Sequence, residues 1–201
     1  MDYQKKLILT ELLILKTHQA FPVENTRVLW SGGKESTLLI YFIRKLFNGK
    51  VPYRVVFADS TLEHPEVYAF IESVSKKWKL KLRKFTYATS KTLNMVEDNF
   101  TLAQKYLHVE RKKISRKLSE TEKVVLTMSG VRWYEHFHKV NSYLMRSNGK
   151  QTYSLYPLLH WTLDDVWRYS KENNIPHLSF YDKGYVHVGP FSGRAELTHS
   201  Q

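Results

Sequence analysis

Apolar residues along this chain fall into short strand-like runs that alternate with stripes at helical spacing. Residues 2–20 predict an amphipathic helix, and a short apolar strand follows at 27–30. From Glu35 onward the apolar residues recur three and four positions apart, which predicts a second helix that ends at Asn48 and Gly49. This strand and this helix form the first unit of an alternating pattern.

Further strand-like runs continue the alternation. They lie at residues 53–58, 80–85, 123–128 and 153–156, with a helical stripe at 67–78 between the first two. Strands that alternate with helices are typical of a parallel sheet covered on both sides. The pattern therefore predicts an α/β fold, a doubly wound and mainly parallel five-stranded sheet with helices on both faces, in a single domain over residues 1–201.

The other segments have weaker patterns. Residues 86–119 are polar and basic, with a helix predicted from about Thr101 but without a clear apolar stripe. Thr162 and Asp165 have the spacing of a capping box and predict the start of a last helix. From Ile175 onward the chain is rich in glycine, proline, histidine and aromatic residues, which indicates a loop-rich C-terminal segment.

Composition narrows the class of protein. Hydrophobic residues make up 42% of the 201 residues, as in a globular domain with one buried core. The sequence contains no cysteine, which excludes disulfides, thiolate metal sites and cysteine nucleophiles together. Glu11 and Lys16 interrupt the apolar N-terminal run, and no segment reaches the roughly 20 apolar residues that span a bilayer. We therefore expect a cytoplasmic protein with no membrane partner.

The formal net charge of +12 indicates an anionic partner, for which nucleic acid, a nucleotide and an acidic protein are all candidates. Basic residues concentrate in segments 76–84 and 105–117. A lysine-rich surface that faces solvent is the simpler interpretation of both segments. A docking surface for nucleic acid is the alternative.

Three polar loops follow predicted strands, at residues 31–36, 59–66 and 129–132. Because ligands of a parallel α/β sheet bind beyond the carboxyl ends of its strands, we expect these loops to lie together. The first loop, SGGKES, places two glycines before a helix, where exposed N–H groups and the helix dipole attract an anion. Its spacing is neither that of a Walker A loop nor that of a G-x-G-x-x-G loop. Glycines also serve tight turns that bind nothing.

SGGKES resembles the SGGxDS phosphate loop of the N-type ATP pyrophosphatases, in the adenine nucleotide alpha-hydrolase superfamily. Three later segments, FADSTLEHPEVYAFI, SGVRWYE and YPLLHWTLDDVWRYSKENNIPHLSFYDKGY, resemble motifs of the phosphoadenosine phosphosulfate reductase family. This family includes the small, ATP-cleaving subunit of sulfate adenylyltransferase. The matches run in order from Arg27 to Gly189, and the resemblance implies a sheet that binds ATP or a related adenine nucleotide with Mg²⁺.

The resemblance also implies a set of site residues on the three loops. Those expected to bind the nucleotide are Ser31, Gly32, Gly33, Lys34, Glu35, Ser36, Asp59, Thr61, Gly130 and Arg132. Among them Lys34, Asp59 and Arg132 are expected to be catalytic, with the phosphates on residues 31–36 and the base near the second strand. Glycines permit close backbone approach, hydroxyls and a lysine contact phosphate, and the fork of an arginine grips an oxyanion.

Several of these residues also have a simpler interpretation. Asp59 is a candidate ligand of Mg²⁺ or of a ribose hydroxyl, and the alternative is an aspartate that closes a turn or caps a helix. Near the start of the following helix stand His64 and Glu66, and a glutamate there also complements the helix dipole.

The late histidines and tryptophans carry weaker signals. His177, His187 and His199 match no metal-ligand spacing and are expected on the surface or in packing. Trp161 and Trp167, near the start of the last helix, are expected in the core.

Two departures from the family pattern bear on activity. Glu35 stands where the family has aspartate, which keeps the charge but adds a methylene. The segment GYVHVGPFSGR lacks the cysteine that reductases carry near the C-terminus and the cysteine pair that some relatives carry after the Gly-Tyr segment. Reduction of a sulfonucleotide by a thiol of this chain is therefore excluded.

Three hypotheses for function follow from these residues. The leading one is an enzyme that cleaves ATP between the α and β phosphates and adenylylates an acceptor, with sulfate as the family-based candidate. The second is a noncatalytic nucleotide-binding module, or a subunit that works with a partner subunit or as a homodimer. The third is adenylyl transfer to nucleic acid, with the two basic segments as the docking surface.

Overall fold

The computed structural model describes residues 1–88, 90, 94–95, 100–136, 140–146 and 151–185. The helices are α1 (Tyr3–Ala20), α2 (Lys34–Leu46), α3 (Pro65–Trp78), α4 (Phe100–Thr121), α5 (Trp133–His136) and α6 (Leu163–Glu172). Short 3-10 helices lie at Val23–Asn25 and Ser179–Lys183. The strands are β1 (Thr26–Leu29), β2 (Arg54–Asp59), β3 (Leu82–Thr86), β4 (Leu126–Met128), β5 (Leu144–Arg146) and β6 (Tyr153–Leu155).

The strands form one sheet in the order β3-β2-β1-β4-β6-β5. All neighbouring pairs are parallel except β5 and β6, which confirms the mainly parallel α/β fold. The predicted count of five strands is corrected to six, because β5 pairs with β6 at the edge of the sheet. Its short, half-exposed sequence Leu-Met-Arg carries no apolar alternation that would mark a strand.

The chain leaves β1 toward β2 and β3 and later returns to the other side of β1 with β4. This change of direction places a topological switch point between β1 and β4, where doubly wound folds bind ligands beyond the strand ends. The loops that follow these two strands are residues 30–33 and 129–132, and both belong to the predicted site.

The main hydrophobic core lies on the face of the sheet that α1, α2, α3 and α6 cover. Val28 and Trp30, in β1 and directly after it, pack there with Phe42 of α2 and Ile71 of α3. Trp161 is buried in this core as predicted, and its ring meets Phe42 edge to face with centroids 5.4 Å apart. The predicted core position of Trp167 is only partly right, since that ring is half-buried.

Helix α4 packs against the other face of the sheet, so helices cover both faces as predicted. Arg27 of β1 donates a hydrogen bond from Nη2 to Ser115 Oγ of α4 at 3.3 Å. The helix begins at Phe100, close to the predicted start, and buries Ala103 and Leu107 as a short apolar stripe. Among the described residues, no helix combines the length and apolar character needed to cross a membrane.

Local sequence signals account for the helix starts that position the site. The predicted capping box of α6 is confirmed, with Thr162 and Asp165 each accepting a hydrogen bond from the other's backbone N–H. His64 caps α3 and accepts from the N–H of Glu66, and Pro65 occupies the first turn, where a missing N–H costs nothing. Helix α2 has Gly33 at its N-cap position instead, and glycine has no side chain with which to cap the helix.

Candidate functional site

The turn between β1 and α2 is built around two glycines and two serines. Gly32 has φ +81°, a left-handed conformation that glycine adopts without strain. The N–H of Gly33 donates to Ser31 Oγ at 3.3 Å, and the N–H of Ser31 donates to Ser36 Oγ, also at 3.3 Å. The two hydroxyl oxygens lie 3.2 Å apart. Both serine hydroxyls therefore stand at the positive end of α2, where an anion is stabilised.

Packing around the glycines leaves little space for a side chain. A Cβ on Gly32 would touch Ile71 and Val67 of α3 at 3.4 and 3.5 Å. At Gly33, the Cβ would come within 3.2 Å of Ser31 Oγ and 3.5 Å of the Tyr181 hydroxyl. Larger residues in either position would fill the turn and block the close approach of a ligand to the backbone.

Three charged side chains converge directly behind this turn. Lys34 Nζ lies 3.1 Å from Glu35 Oε1, and Arg132 contacts the same oxygen through Nη2 at 3.1 Å and Nε at 3.2 Å. The side chains of Lys34 and Arg132 are buried and that of Glu35 nearly so. The structure thus brings together the predicted residues of the first and third loops. One carboxylate partly neutralises two cations, which leaves a net charge of +1 on the trio.

Gly130 lies where the β4 loop approaches the first turn of α2. A Cβ at this position would stand 2.7 Å from the Glu35 carbonyl oxygen and 2.9 Å from the Ser36 backbone nitrogen. These contacts are far below van der Waals distance and involve backbone atoms that cannot rotate away. The structure therefore gives Gly130 a packing role between the two loops, which its predicted contact with a ligand did not include.

Asp59 closes the loop after β2, in agreement with its simpler interpretation as a turn residue. Its Oδ1 accepts from the N–H of Thr61 and from the Tyr68 hydroxyl, both at 2.8 Å. Thr61 itself is exposed and has φ +62°, a left-handed conformation uncommon for threonine. Burial, followed by the adjacent carboxylate, raises the pKa of Tyr68. The contact with Thr61 fits a turn aspartate, and a role in holding Mg²⁺ or ribose stays a prediction.

Glu63 lies in the same loop and was not among the predicted site residues. Its Oε1 accepts from Ser60 Oγ at 2.9 Å. Burial raises the pKa of the Glu63 carboxyl to about 7, and the charge of Asp59 adds to this effect while the Ser60 hydrogen bond and Arg111 oppose it. No local sequence signal distinguishes this glutamate from a solvated loop residue, because its burial depends on distant parts of the fold.

Tyr181 is a second residue that sequence reasoning missed. The N–H of Lys34, at the start of α2, donates to the Tyr181 hydroxyl at 3.2 Å, and Lys34 Nζ lies 4.9 Å from the centroid of its ring. This tyrosine belongs to the 3-10 helix Ser179–Lys183, in the segment predicted as loop-rich. Its hydroxyl therefore occupies a backbone donor at the predicted anion site.

The segment that carries Tyr181 is fastened to the start of α3. Glu66 accepts from the N–H of Ser179 at 2.6 Å and from its Oγ at 2.9 Å. His64 meets the ring of Phe180 edge to face at 4.7 Å. The interpretation of Glu66 as a residue that only complements the dipole of α3 is thus incomplete, because its side chain also positions the Tyr181 segment.

The late histidines do not form a metal site within the described part of the chain. His177 Nε2 lies 2.9 Å from Asp182 Oδ1, and its ring packs against Trp167. His187 and His199 lie outside the described residues. Among the residues that are described, no three histidine or acidic side chains form a cluster able to hold a metal ion.

Comparison with known proteins places the chain in a family. Residues 25–194 match the model of the phosphoadenosine phosphosulfate reductase domain. This match covers most of the chain and contains all three loops of the site. The chain belongs to the phosphoadenosine phosphosulfate reductase domain family, as its motifs predicted.

Individual relatives are distant in sequence but similar in fold. A sulfate adenylyltransferase subunit 2 from Allorhizobium ampelinum is 23% identical, over 90% of this chain and 65% of that protein. The crystal structure of a phosphoadenylyl-sulfate reductase from Candida auris in a phosphate complex covers 90% of this chain and 88% of its own, with TM-score 0.74 and 17% identity. A Candida glabrata FMN adenylyltransferase in complex with FMN and an ATP analogue covers 94% of this chain and 64% of its own, with TM-score 0.68 and 21% identity.

Proposed function

We propose that this protein binds ATP on the turn between β1 and α2 and transfers its adenylyl group to an oxyanion acceptor, with release of pyrophosphate. The observation that carries the proposal is the turn itself. Gly32 and Gly33 open the backbone at the switch point, and the hydroxyls of Ser31 and Ser36 stand at the same helix end. A polyphosphate on such a turn would replace the hydroxyl oxygens that now accept from its backbone N–H groups.

The chemistry of adenylyl transfer requires stabilisation of the negative charge that develops on pyrophosphate. Arg132 and Lys34 lie behind the turn and supply positive charge there. In this proposal Thr61, exposed on the neighbouring loop, would contact the nucleoside part, with the base near β2. In this proposal the three loops bind separate parts of one nucleotide.

Asp59 is the residue of this chain that would hold Mg²⁺ together with the phosphates. Mg²⁺ in nucleotide sites is commonly bound by one or two carboxylates and by substrate oxygens, so a single buried carboxylate at the loop fits this role. One oxygen of Asp59 is already engaged by Thr61 and Tyr68, which fixes the orientation of the carboxylate. The ion would draw electron density from the phosphate oxygens.

The relatives include reductases as well as adenylyltransferases, and the lack of cysteine in this chain supports the adenylyltransferases as the better guide. The FMN adenylyltransferase carries an ATP analogue, and the sulfate adenylyltransferase subunit is named for transfer to sulfate. A sulfate-like oxyanion is therefore a candidate acceptor. Because that relative is one subunit of its enzyme, a second subunit is a candidate partner of this chain. The sequence supplies no cysteine for the alternative, a reduction that proceeds through a thiolate.

One observation favours a second candidate function, a noncatalytic nucleotide-binding module. Glu35 binds both Lys34 and Arg132, so its carboxylate offsets part of the positive charge that these two side chains would present to a phosphate. A site weakened in this way could retain nucleotide without cleaving it. Binding without pyrophosphate release would support the module, whereas release of pyrophosphate would support the enzyme.

Calorimetry with ATP and Mg²⁺, together with an assay of pyrophosphate release, tests the proposal. Gly33→Val is expected to abolish binding, because its side chain would crowd Ser31 and the Tyr181 hydroxyl. Ser36→Ala is expected to weaken binding about tenfold through loss of a charge-assisted hydrogen bond. Ser73→Ala, an exposed position on α3, is the matched control and is expected to bind as the parent does. Parental affinity in both site variants would refute the proposal.

A further inference from the structure

The face of the sheet beneath α4 is polar where a covered parallel sheet is normally apolar. The register places four polar side chains in one row across neighbouring strands, namely Arg54, Arg27, Thr127 and Ser154. The next residues along these strands, which point to the other face, all belong to the hydrophobic core. Parallel sheets with helices on both faces usually carry aliphatic residues on both. Packing alone therefore does not explain the polar row.

A buried arginine is fixed in the middle of this row. Arg27 has only 6% of its surface exposed. Its Nε donates to Thr127 Oγ1 at 3.1 Å, and its Nη2 donates to Ser115 Oγ of α4 at 3.3 Å. A guanidinium carries five N–H donors, and these bonds use two of them. The buried cation is thus held in place where it lines the space between the sheet and α4.

This space is an elongated cleft of about 1310 Å³ that is about half open to solvent. Its floor extends from Phe85 of β3, across β2, β1 and β4, to Ser154 of β6. Four intervals between neighbouring strands, at about 4.8 Å each, give a floor about 19 Å across. An open trough of this length fits an extended chain better than it fits a compact molecule.

Helix α4 supplies a cationic wall to the cleft. The arginines and lysines of the lining are Arg27, Arg111, Lys112, Arg116 and Lys123, and its carboxylates are Glu35, Glu63 and Glu120. The pair of Arg116 with Glu120, at 3.2 Å, is exposed and binds weakly. The simpler interpretation of segment 105–117, a surface facing solvent, is incomplete for the residues that border the cleft. Their excess over the carboxylates favours an anionic occupant.

Two aromatic rings line the cleft near its two sides. Phe85 lies on β3, and Tyr156 follows directly after β6. Both side chains are half-buried, so part of each stays accessible. A positively charged groove that also contains accessible aromatic rings is typical of sites for single-stranded nucleic acid, because cations follow the phosphates while rings stack on unpaired bases. An acidic polypeptide would meet the cations but offers no bases to the rings.

Hydroxyl groups on the floor indicate the kind of strand. The side chains of Ser115, Thr127, Thr152 and Ser154 all line the cleft. The 2′-hydroxyl of RNA both donates and accepts hydrogen bonds, and it is the group by which proteins distinguish RNA from DNA. A floor rich in hydroxyls therefore suits a ribose better than a deoxyribose.

We propose that this cleft is a docking surface for single-stranded RNA. The phosphates lie against the cations of α4 and Arg27, and bases stack on Phe85 and Tyr156. The cleft also reaches Ser31 and Ser36 at the carboxyl end of β1, so a bound strand passes beside the turn before α2. This inference goes beyond the proposed function and does not depend on it.

A fluorescein-labelled single-stranded RNA of about 12 nucleotides, within the usual range of site sizes, provides the probe for the full chain. Its affinity is measured by anisotropy and compared with that of DNA of the same sequence, of the RNA duplex and of a polyglutamate peptide of equal charge. We expect the single-stranded RNA to bind at least about fivefold more tightly than each of the three. Equal affinity for the DNA, the duplex or the peptide would overturn the proposal.

Paired variants of one helix locate the binding. Arg111→Gln with Lys112→Gln removes two cations from the cleft wall, whereas Lys113→Gln with Lys117→Gln removes two exposed cations of α4 that lie outside the lining. We expect the first pair to weaken RNA binding about tenfold and the second to leave it within about twofold. Equal losses would show attraction to net charge alone and would refute the cleft.

The salt dependence gives a readout that loss of structure would not imitate. Each phosphate contact on a single strand contributes about 0.7 to the slope of log affinity against log salt concentration. Loss of two contacts in the Arg111 and Lys112 variant should therefore reduce the magnitude of this slope by about 1.4. An unchanged slope would mean that these side chains do not contact phosphates and would overturn their role.

Stacking is tested at Tyr156. Tyr156→Leu should weaken RNA binding about fivefold or more, while Tyr156→Phe, which keeps the ring, should bind as the parent does. Equal binding by the leucine and phenylalanine variants would exclude stacking on this ring.

ATP binding by calorimetry reports separately on the turn between β1 and α2. RNA binding without ATP binding would refute the proposed function and leave the docking surface intact. ATP binding without preference for single-stranded RNA would refute the docking surface alone.

Discussion

Arg132 grips a single carboxylate oxygen of Glu35 through two of its nitrogens, at 3.1 and 3.2 Å. Lys34 Nζ reaches the same oxygen at 3.1 Å. Since Arg132 follows β4 and Glu35 begins α2, this contact joins two loops that meet at the switch point of the sheet. The carboxylate holds both cations behind the proposed phosphate site.

Replacing Glu35 with glutamine should lower stability and increase the response to an anion. The change removes the carboxylate that the two buried cations share, at a cost on the order of 3 kcal/mol in the free energy of unfolding. Pyrophosphate on the turn would supply the missing negative charge. We therefore expect a lower melting temperature and a larger rise on addition of pyrophosphate than in the parent.

The control for this experiment is Glu172→Gln, which breaks an exposed pair with Arg168 at 2.9 Å. Exposed pairs contribute little to stability, so this variant should melt near the parent and respond to pyrophosphate as the parent does. If Glu35→Gln shows the same pyrophosphate response as Glu172→Gln, the cations do not serve an anion site.

Replacing Tyr181 with phenylalanine should strengthen nucleotide binding. The Tyr181 hydroxyl accepts from the N–H of Lys34 at 3.2 Å, and a phosphate on the turn would compete for that donor. Phenylalanine keeps the ring beside Lys34 Nζ but removes the competing oxygen. A neutral hydrogen bond contributes about 0.5–1.5 kcal/mol, which corresponds to a gain of roughly 2- to 10-fold in ATP affinity by calorimetry.

The opposite result for Tyr181→Phe has a clear meaning. Weaker binding of ATP would show that the hydroxyl contacts the nucleotide directly and does not compete with it. Tyr134→Phe, at an exposed position beyond the β4 loop, removes a hydroxyl elsewhere and should leave ATP affinity unchanged.

The sequence was sufficient to predict the turn between β1 and α2, but it did not predict the contact that Tyr181 makes there. The reason is physical. SGGKES is a local signal, because glycine conformation and helix-end polarity act within a few residues. Tyr181 reaches Lys34 across 147 residues of chain, and Glu66 holds Ser179 across 113. Contacts of this kind depend on the assembled fold, and nothing in the sequence near Tyr181 indicates them.

The same distinction between local and distant contacts explains why the sequence did not predict strand β5 or the position of the basic segment over the sheet. Strands β1, β2 and β4 carry buried apolar residues that mark them, whereas Leu144 and Arg146 of β5 are exposed at the sheet edge. The cationic side of α4 resembles a solvated helix surface in sequence. Its position over a polar sheet face follows from the pairing of Arg27 with Thr127, which only the register reveals.

Gly130→Ala should destabilise the junction between the two loops. Its Cβ would stand 2.7 Å from the carbonyl oxygen of Glu35, so the β4 loop must move away from α2. Overpacking of this kind typically costs about 1–3 kcal/mol, measurable by urea denaturation. Ser129→Ala, one residue earlier, adds no atom and is expected to change stability by less. Equal stability of Gly130→Ala and the parent would show that the loop relaxes freely and that the two loops are not rigidly joined.

Stability should fall with rising pH because of Glu63. Burial raises the pKa of this carboxyl to about 7 from a usual value of 4.5. Below about pH 4.5 the group is protonated in both the folded and the unfolded chain, so it has no effect on their balance. Between the two pKa values the folded chain keeps a proton that the unfolded chain has lost. The free energy of unfolding therefore decreases as the pH rises, and the full penalty is reached above about pH 7.

Glu63→Gln removes this ionisation but keeps an oxygen that accepts from Ser60 Oγ. At 1.36 kcal/mol for each pKa unit, a rise from 4.5 to about 7 is equivalent to about 3 kcal/mol. The free energy of unfolding is measured by urea denaturation at about pH 5 and about pH 8. We expect that of Glu63→Gln to increase relative to that of the parent by an amount of this order at the higher pH. Glu72→Gln, an exposed carboxylate on α3, should follow the parent at both values. Parallel stability curves for the parent and Glu63→Gln would mean that the Glu63 carboxyl is ionised in the folded protein at neutral pH, against its burial beside Asp59.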